Sequence, residues 1–422
     1  MNSRRGDRMF QAVKLLLRSV LALIAALVLV VSFLSLRAWN LSGRHRAVPA
    51  ALQVDAHIAA FPGEVRYFPR DPGDIKLIES EFVESWDREK AFLHTENLPP
   101  TAYLALSGGG DRGAFSAGFL NGWTQAGTRP EFKLVTGVST GALIAPFAFL
   151  GPEYDKDLKA MYTGVSQKDI AAERFFYSVF LQDAMADTTP LAQLLKVHVT
   201  QTMIDAIAAE YAKGRLLFIG TTNLDARRPV VWNVTKIAAS GKPEANELLR
   251  KIMLASAAIP GAFPPVMFDV EAKGQSYQEM HVDGGATTQV FVYWAGVNLK
   301  RLAEEHNAMR ERTIYALVNA RLDPEWGEVE RRTLPITFQA IDTLIQYQTM
   351  GDLYRIFTIT RRDGTDFNLA YIPDDFQVTH TADFDPTYMR KLYDYAFEKA
   401  AAGYKWMKEP PLQVEHDFTS EQ

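Results

Sequence analysis

The chain has 422 residues, 47% of them apolar and 23% charged, enough to bury a large core. Its net charge of −5 gives no reason to expect nucleic acid as a partner. With no cysteine in the chain, disulfides, thiolate metal sites, cysteine nucleophiles and a cysteine-linked lipid anchor are all excluded.

The first 18 residues carry Arg4, Arg5, Arg8, Lys14 and Arg18 against Asp7 alone. Ser19–Leu36 then runs 18 residues without a charge. As a helix it would be roughly 27 Å long, near the ~30 Å of a bilayer's hydrocarbon core. The run is too long for an ordinary signal-peptide core and no clean A-x-A site follows it, so a single-pass transmembrane helix is expected. Arg37, Arg44 and Arg46 follow the run, but the five basic residues before it outnumber them. That bias places the N-terminus in the cytoplasm and the body of the chain in the periplasm or another extracytoplasmic space.

Residues 37–73 read as a linker marked by Pro49, Pro69 and Pro72. From Asp74 an amphipathic helix is expected, with Ile75, Ile78, Phe82 and Trp86 inward and Glu79, Glu81, Asp87 and Glu89 between them. Linker and entry helix together cover 37–97.

Thr101–Ser107 is a short apolar strand running into Gly108-Gly109-Gly110-Asp111-Arg112-Gly113, and Ala114–Ala126 has helical spacing. Phe132–Thr136 is the next strand; it meets Gly137-Val138-Ser139-Thr140-Gly141, with a helix over Gly141–Leu150. Two successive strand–turn–helix units imply a parallel sheet with helices on its faces. Both glycine turns then lie at the carboxyl edge, where such sheets bind ligands. Further strands are expected at Arg215–Asn223, Pro229–Asn233, Tyr277–Asp283 and Thr313–Asn319, and helices at Ala245–Ser256, Leu334–Phe357 and from Asp385.

The second turn has the G-x-S-x-G form of a nucleophile elbow, which points to Ser139 as a nucleophile. A serine hydroxyl needs a base to take its proton. His281 and Asp283 share one face of a strand, yet two neighbours pointing outward side by side stack poorly as the base and orienter of a triad. His380 suits the order Ser…Asp…His, but nothing in the sequence around it marks a site. The simpler arrangement is a Ser139–Asp283 dyad with the carboxylate as base, Gly284 and Gly285 leaving room beside it. The first turn, Gly108–Gly113, offers N–H groups to a developing oxyanion. It also satisfies G-x-G-x-x-G, but the second strand ends at a serine rather than the acid that a dinucleotide site needs. Arg112 could steady an anionic head group or pair with a surface carboxylate. The apolar loop Ala257–Pro265 could pack or could line an acyl site. No metal-ligand or calcium-loop pattern is present, and no cofactor is expected.

Taken together, these segments resemble the patatin-like phospholipases. Gly108–Gly113 is similar to the family's G-G-G-x-[RK]-G loop, Gly137–Gly141 to its G-x-S-x-G elbow, and Asp283-Gly284-Gly285 to its D-G-[GA] motif. Asp187–Leu191 and Ala255–Pro265 also have the look of family segments. The resemblance covers roughly residues 98–320 and implies a three-layer α/β/α fold with a mainly parallel sheet there; the helical spacing beyond it leads us to expect a mostly helical extension over 321–422, packed on that domain. It further implies acyl-ester hydrolysis of lipids through an acyl-enzyme, with Ser139 as nucleophile and Asp283 as base. Gly109 and Gly110 would be the oxyanion donors, with Gly108 and Arg112 near them. The expected partners are a membrane lipid as substrate and the bilayer itself through the N-terminal helix. A non-catalytic membrane protein using the same cleft to hold a lipid or partner is the alternative.

Overall fold

The computed structural model describes residues 3–42, 45–61, 64–173, 183–323, 326–378, 380 and 382–411. The chain divides into two compact units, Met1–Ala47 and Val48–Gln422. The first is a single helix, Ser3–Ser42, that outruns the expected span at both ends. Its stretch Leu16–Leu34 has a mean hydropathy of 2.6 and is long and apolar enough to cross a membrane.

The second unit contains twelve described strands: β1 His57–Ile58, β2 Arg66–Tyr67, β3 Thr101–Leu106, β4 Phe132–Val138, β5 Ala172–Glu173, β6 Ala186–Asp187, β7 Leu216–Asn223, β8 Arg228–Asn233, β9 Val266–Ala272, β10 Gln275–Asp283, β11 Arg312–Val318 and β12 Asp366–Tyr371. Ten of them form one sheet, and β12, β11, β3, β4 and β7 run parallel in that order. Antiparallel strands β8, β9 and β10 complete the far side, with β1 paired to β9 and β2 to β8.

Period-two alternation sorts the buried strand residues into two cores. Leu104, Leu106, Val135, Leu217 and Ile219 face one side with the helices Ala114–Gln125, Thr140–Leu150, Ala245–Ser256 and Pro386–Ala401. Tyr103, Ala105, Leu134, Val138, Leu216 and Phe218 face the other, with the helices Pro72–Leu93, Leu299–Glu305 and Thr333–Asp363. The result is the expected three-layer α/β/α architecture with a mostly parallel central sheet.

Several local details depart from the sequence reading. Residues 48–71 are not a free linker: Val48, Phe61, Val65 and Tyr67 are buried, and β1 and β2 join the sheet. The proline breakers there punctuate short paired segments. The entry helix begins at Pro72, capped by the Asp71 side chain, which accepts from the Gly73 N–H at 2.8 Å. Glu81 and Glu89, expected among its polar residues, are buried against cations: Glu81 against Arg88 and Lys236, Glu89 against Lys133 and Arg310. Strand β9 escaped the sequence reading. It forms a hairpin with β10 through Lys273-Gly274, both at positive φ (48° and 73°), as a two-residue type I′ turn needs.

The C-terminal region, expected as a helical extension, also supplies a strand. β12 continues the sheet in parallel with β11, after Gly364 at φ 64° ends the long helix in a left-handed cap. The helix Pro386–Ala401 packs on Ala114–Gln125 at Gly118 and Gly122, where a Cβ would run into the carbonyls of Tyr393 and Phe397. Residues 412–422 of the expected extension lie outside the described residues.

Candidate active site

Strand β7 builds the site by its pairing register. On one edge it pairs with β8 from Phe218 to Asn223. On the other it pairs first with β4, Val138 opposite Gly220, and then with β10, Asp283 opposite Thr221. The carboxyl ends of β4 and β10 therefore meet head to head, and Ser139 and Asp283, separated by 144 residues, become neighbours.

Ser139 occupies the turn between β4 and the helix Thr140–Leu150 with φ 54° and ψ −126°, a conformation rare for any residue but glycine. The turn is tight enough that a Cβ on Gly137 would meet the backbone of Gly141 and Ala142, and one on Gly141 the carbonyls of Leu106 and Ser107. The motif's two glycines thus let three backbones pass within contact distance. The Ser139 N–H donates to Ser256 Oγ at 2.9 Å, and the Ser256 hydroxyl donates to the Gly220 carbonyl at 2.7 Å. Ser256 lies in the family-like segment Ala255–Pro265, but nothing in the sequence assigns it this contact.

The Ser139 hydroxyl donates to Asp283 Oδ2 at 2.6 Å, and the Gly285 N–H donates to Asp283 Oδ1 at 2.7 Å. The Asp283 N–H is held by the Ala258 carbonyl at 2.9 Å. Both side chains are buried. Burial pushes the Asp283 carboxyl up to about 7, against the hydrogen bonds from Ser139 and Gly285, which favour its charged form. A carboxylate with that affinity for a proton is a far better acceptor than an ordinary aspartate.

The glycine loop lies beside them. Gly109 and Gly110 adopt positive φ (148° and 59°), and a Cβ on Gly109 would strike the Asn319 carbonyl. Gly108, expected among the oxyanion glycines, has its N–H committed to the Gln289 carbonyl at 3.1 Å. That leaves Gly109 and Gly110 as the loop's candidate donors. Gly108 instead lets the elbow approach, since a Cβ there would stand 3.2 Å from that of Ser139. Asn319, just past the end of β11, braces the loop through Ser107: its side-chain amide donates to the Ser107 carbonyl at 2.9 Å and its backbone N–H donates to Ser107 Oγ at 2.8 Å. Asp352, from the long helix, accepts the Gln289 N–H at 2.7 Å. Both act through backbone groups and leave no sequence signature.

A pocket lined mainly by apolar side chains opens from Ser139 and Gly110, with Leu143, Leu191, Ile259 and Phe263 among its walls. The segments Asp187–Leu191 and Ala255–Pro265 both contribute to it. Asp187 holds its helix start by accepting from the Thr189 N–H at 2.8 Å. Arg112 is half-buried on the loop and is not among the residues lining the pocket.

The histidines lie elsewhere. His281 is fully buried between Trp232 and Phe268, with Nδ1 2.9 Å from Thr221 Oγ1 and Nε2 3.2 Å from Glu279. With both ring nitrogens engaged there, its place is structural, and burial pulls its pKa below the usual histidine range. His380 bonds through Nε2 to Asp111 Oδ2 at 2.7 Å, and that bond holds its imidazole above its usual range. Among the described residues no group of three or more histidines, aspartates or glutamates gathers as a metal site.

Fold and site together define a three-layer α/β/α protein with its candidate site at the carboxyl edge of a mostly parallel sheet. By sequence, residues 104–292 match the patatin-like phospholipase family. Among solved structures it is similar to VipD from Legionella pneumophila, at 12% identity over 73% of this chain and 68% of that one, with a TM-score of 0.33. It is also similar to human GIVD cytosolic phospholipase A2, at 10% identity over 78% and 56% of the two chains and a TM-score of 0.29. For the type III effector ExoU the values are 13%, 72%, 53% and 0.19. The chain thus spans just over half the length of the latter two. No curated protein matches it.

Proposed function

We propose that this chain is a membrane-tethered serine hydrolase that cleaves carboxylic esters of acyl lipids. The observation that carries the reading is the 2.6 Å hydrogen bond from Ser139 to a buried Asp283 at the mouth of an apolar pocket. In the first step Ser139 Oγ attacks the ester carbonyl while its proton passes to Asp283 Oδ2. The oxyanion that forms is met by the backbone N–H groups of Gly109 and Gly110. Asp283 then gives its proton to the departing alcohol, leaving an acyl chain on Ser139. In the second step Asp283 takes a proton from water, which attacks the acyl-enzyme, and returns that proton to Ser139 Oγ as the fatty acid is freed. The apolar pocket suits a hydrocarbon chain, and its few polar groups cluster at Ser139.

The N-terminal helix supplies the tether. The basic residues before its apolar stretch support a cytoplasmic N-terminus, with the hydrolase on the far side of the membrane. A reporter fused after Gln422 that is active only in the cytoplasm would reverse that orientation.

The hydrolase itself is tested with a fluorophosphonate probe on the full chain. Labelling of the wild type and its loss in Ser139→Ala are expected. Absence of labelling in folded wild-type protein would sink the reading.

A further inference from the structure

Two walls of the apolar pocket, Phe384 and Met389, come from beyond the family domain, in the C-terminal region. They are fastened to the site at one residue of the glycine loop. Asp111, buried in that loop, uses a single carboxylate oxygen to accept the Phe384 N–H at 2.8 Å and to bond His380 Nε2 at 2.7 Å. Phe384 takes up a left-handed backbone conformation (φ 55°), which an aromatic residue adopts only when its surroundings impose it. On its far side Asp385 caps the helix Pro386–Ala401 by accepting from the Thr387 N–H at 2.8 Å. That helix is locked against Ala114–Gln125 at Gly118 and Gly122. On the near side the His380 ring packs on Tyr388, ring centroids 4.6 Å apart. The backbone of Phe384 is therefore fixed at both ends, with its ring set into a pocket wall.

We infer that Phe384 limits the length of acyl chain the pocket accepts, and that Asp111 is the positioning residue that holds it there. The inference rests on the reading of the pocket as an acyl site. Asp111 occupies the loop position next to Gly110, so one side chain ties the C-terminal wall to the proposed oxyanion donors. Removing the ring opens the pocket to longer chains. Removing the Asp111 carboxylate releases the backbone that aims the ring and has the same effect without altering a pocket wall. Each methylene a pocket accepts or refuses is worth about 10–200-fold in selectivity, so one ring is enough to set a length preference.

The test uses the full-length Ser139→Ala chain in detergent, photocrosslinked with diazirine fatty acids of graded length, and the yield is read by mass spectrometry on pocket peptides. In the Ser139→Ala background, Phe384→Ala is expected to raise the ratio of long- to short-chain labelling about tenfold. Phe384→Leu should fall between it and the parent, and Asp111→Ala should reproduce the shift. An unchanged length profile in folded Phe384→Ala and Phe384→Leu overturns the role of Phe384, and an unchanged profile in Asp111→Ala alone overturns the clamp. Failure of any fatty acid to label the pocket overturns both. Because this readout needs no catalysis, it is separate from the fluorophosphonate result. Fatty-acid labelling without probe labelling would sink the hydrolase and leave the pocket assignment standing.

Discussion

Val138 and Asp283 stand at consecutive positions along one edge of β7, Val138 opposite Gly220 and Asp283 opposite Thr221. Two strands that end facing each other on the same neighbour bring the residue after the first, Ser139, to the last residue of the second. The hydrogen bond between them is a product of sheet register, and the predictions below test what that register has made.

The first concerns pH. Asp283 can accept the Ser139 proton only as a carboxylate, and burial has moved its ionisation up to about 7. For a soluble ester, kcat/KM is expected to rise with pH through a single step centred near 7. Asp283→Asn should lose about 10²–10⁴ in rate. A flat profile from about pH 5 to pH 9, or an active Asp283→Asn, would remove Asp283 from the base role.

The same shift has a signed consequence for stability. The folded state binds this proton more tightly than the unfolded chain, whose carboxyl ionises near the ordinary 3.8. The contribution is therefore fully present below that value and lost as pH rises through about 7. Asp283→Asn has no proton to lose there. Its thermal midpoint relative to wild type should rise from acidic to mildly alkaline pH, and a constant difference would contradict the shift.

Ser139 holds φ 54° at the elbow, where strain costs about 1–3 kcal/mol. Ser139→Gly should be more stable than the wild type in thermal unfolding while giving no probe labelling. A less stable Ser139→Gly would mean that the bond to Asp283 outweighs the strain.

His281→Ala should retain most of the hydrolysis and unfold more easily, by roughly 1–3 kcal/mol, because Glu279 and Thr221 lose a buried partner. Ester assays and denaturant titration separate the two effects. A His281→Ala as inactive as Ser139→Ala would restore a histidine to the mechanism.

Gly118 faces the Tyr393 carbonyl across the contact between two helices. Gly118→Val should cost about 1–3 kcal/mol through overpacking and loosen the helix Pro386–Ala401 from the domain. Limited proteolysis should then cut between Phe384 and Ala401 sooner than in the wild type, and an unchanged digestion pattern would show that the contact yields without cost.

Much of the site is legible in the sequence, because its chemistry sits in turns whose residue types are forced. The glycines at 137 and 141 are required by backbones in contact, and those at 109 and 110 by positive φ. The apolar run of the N-terminal helix was equally plain, since its length and composition are local properties. The short apolar runs of β3 and β4, each followed by a glycine turn and a helix, announced a parallel sheet with helices on its faces.

What the sequence could not carry were relations between distant segments. Nothing near His380 or Phe384 announces that Asp111 binds both, and nothing in Ser256 announces that it holds the Ser139 N–H. The buried pairing of Glu81 and Glu89 reads in sequence as an ordinary polar helix face, because burial of a charge depends on partners brought from elsewhere. The taking of the Gly108 N–H by Gln289, which narrows the loop's candidate donors to two glycines, belongs to the same class. Residue types and local backbone demands named the nucleophile turn, the glycine loop and the carboxylate. Only the tertiary structure, through the register of β7 and the docking of the C-terminal helix, decided that Asp283 is buried against Ser139 and that Phe384 lines the pocket. A hydrogen bond or a packed ring between residues far apart in the chain exists only once the segments bearing them have been packed together.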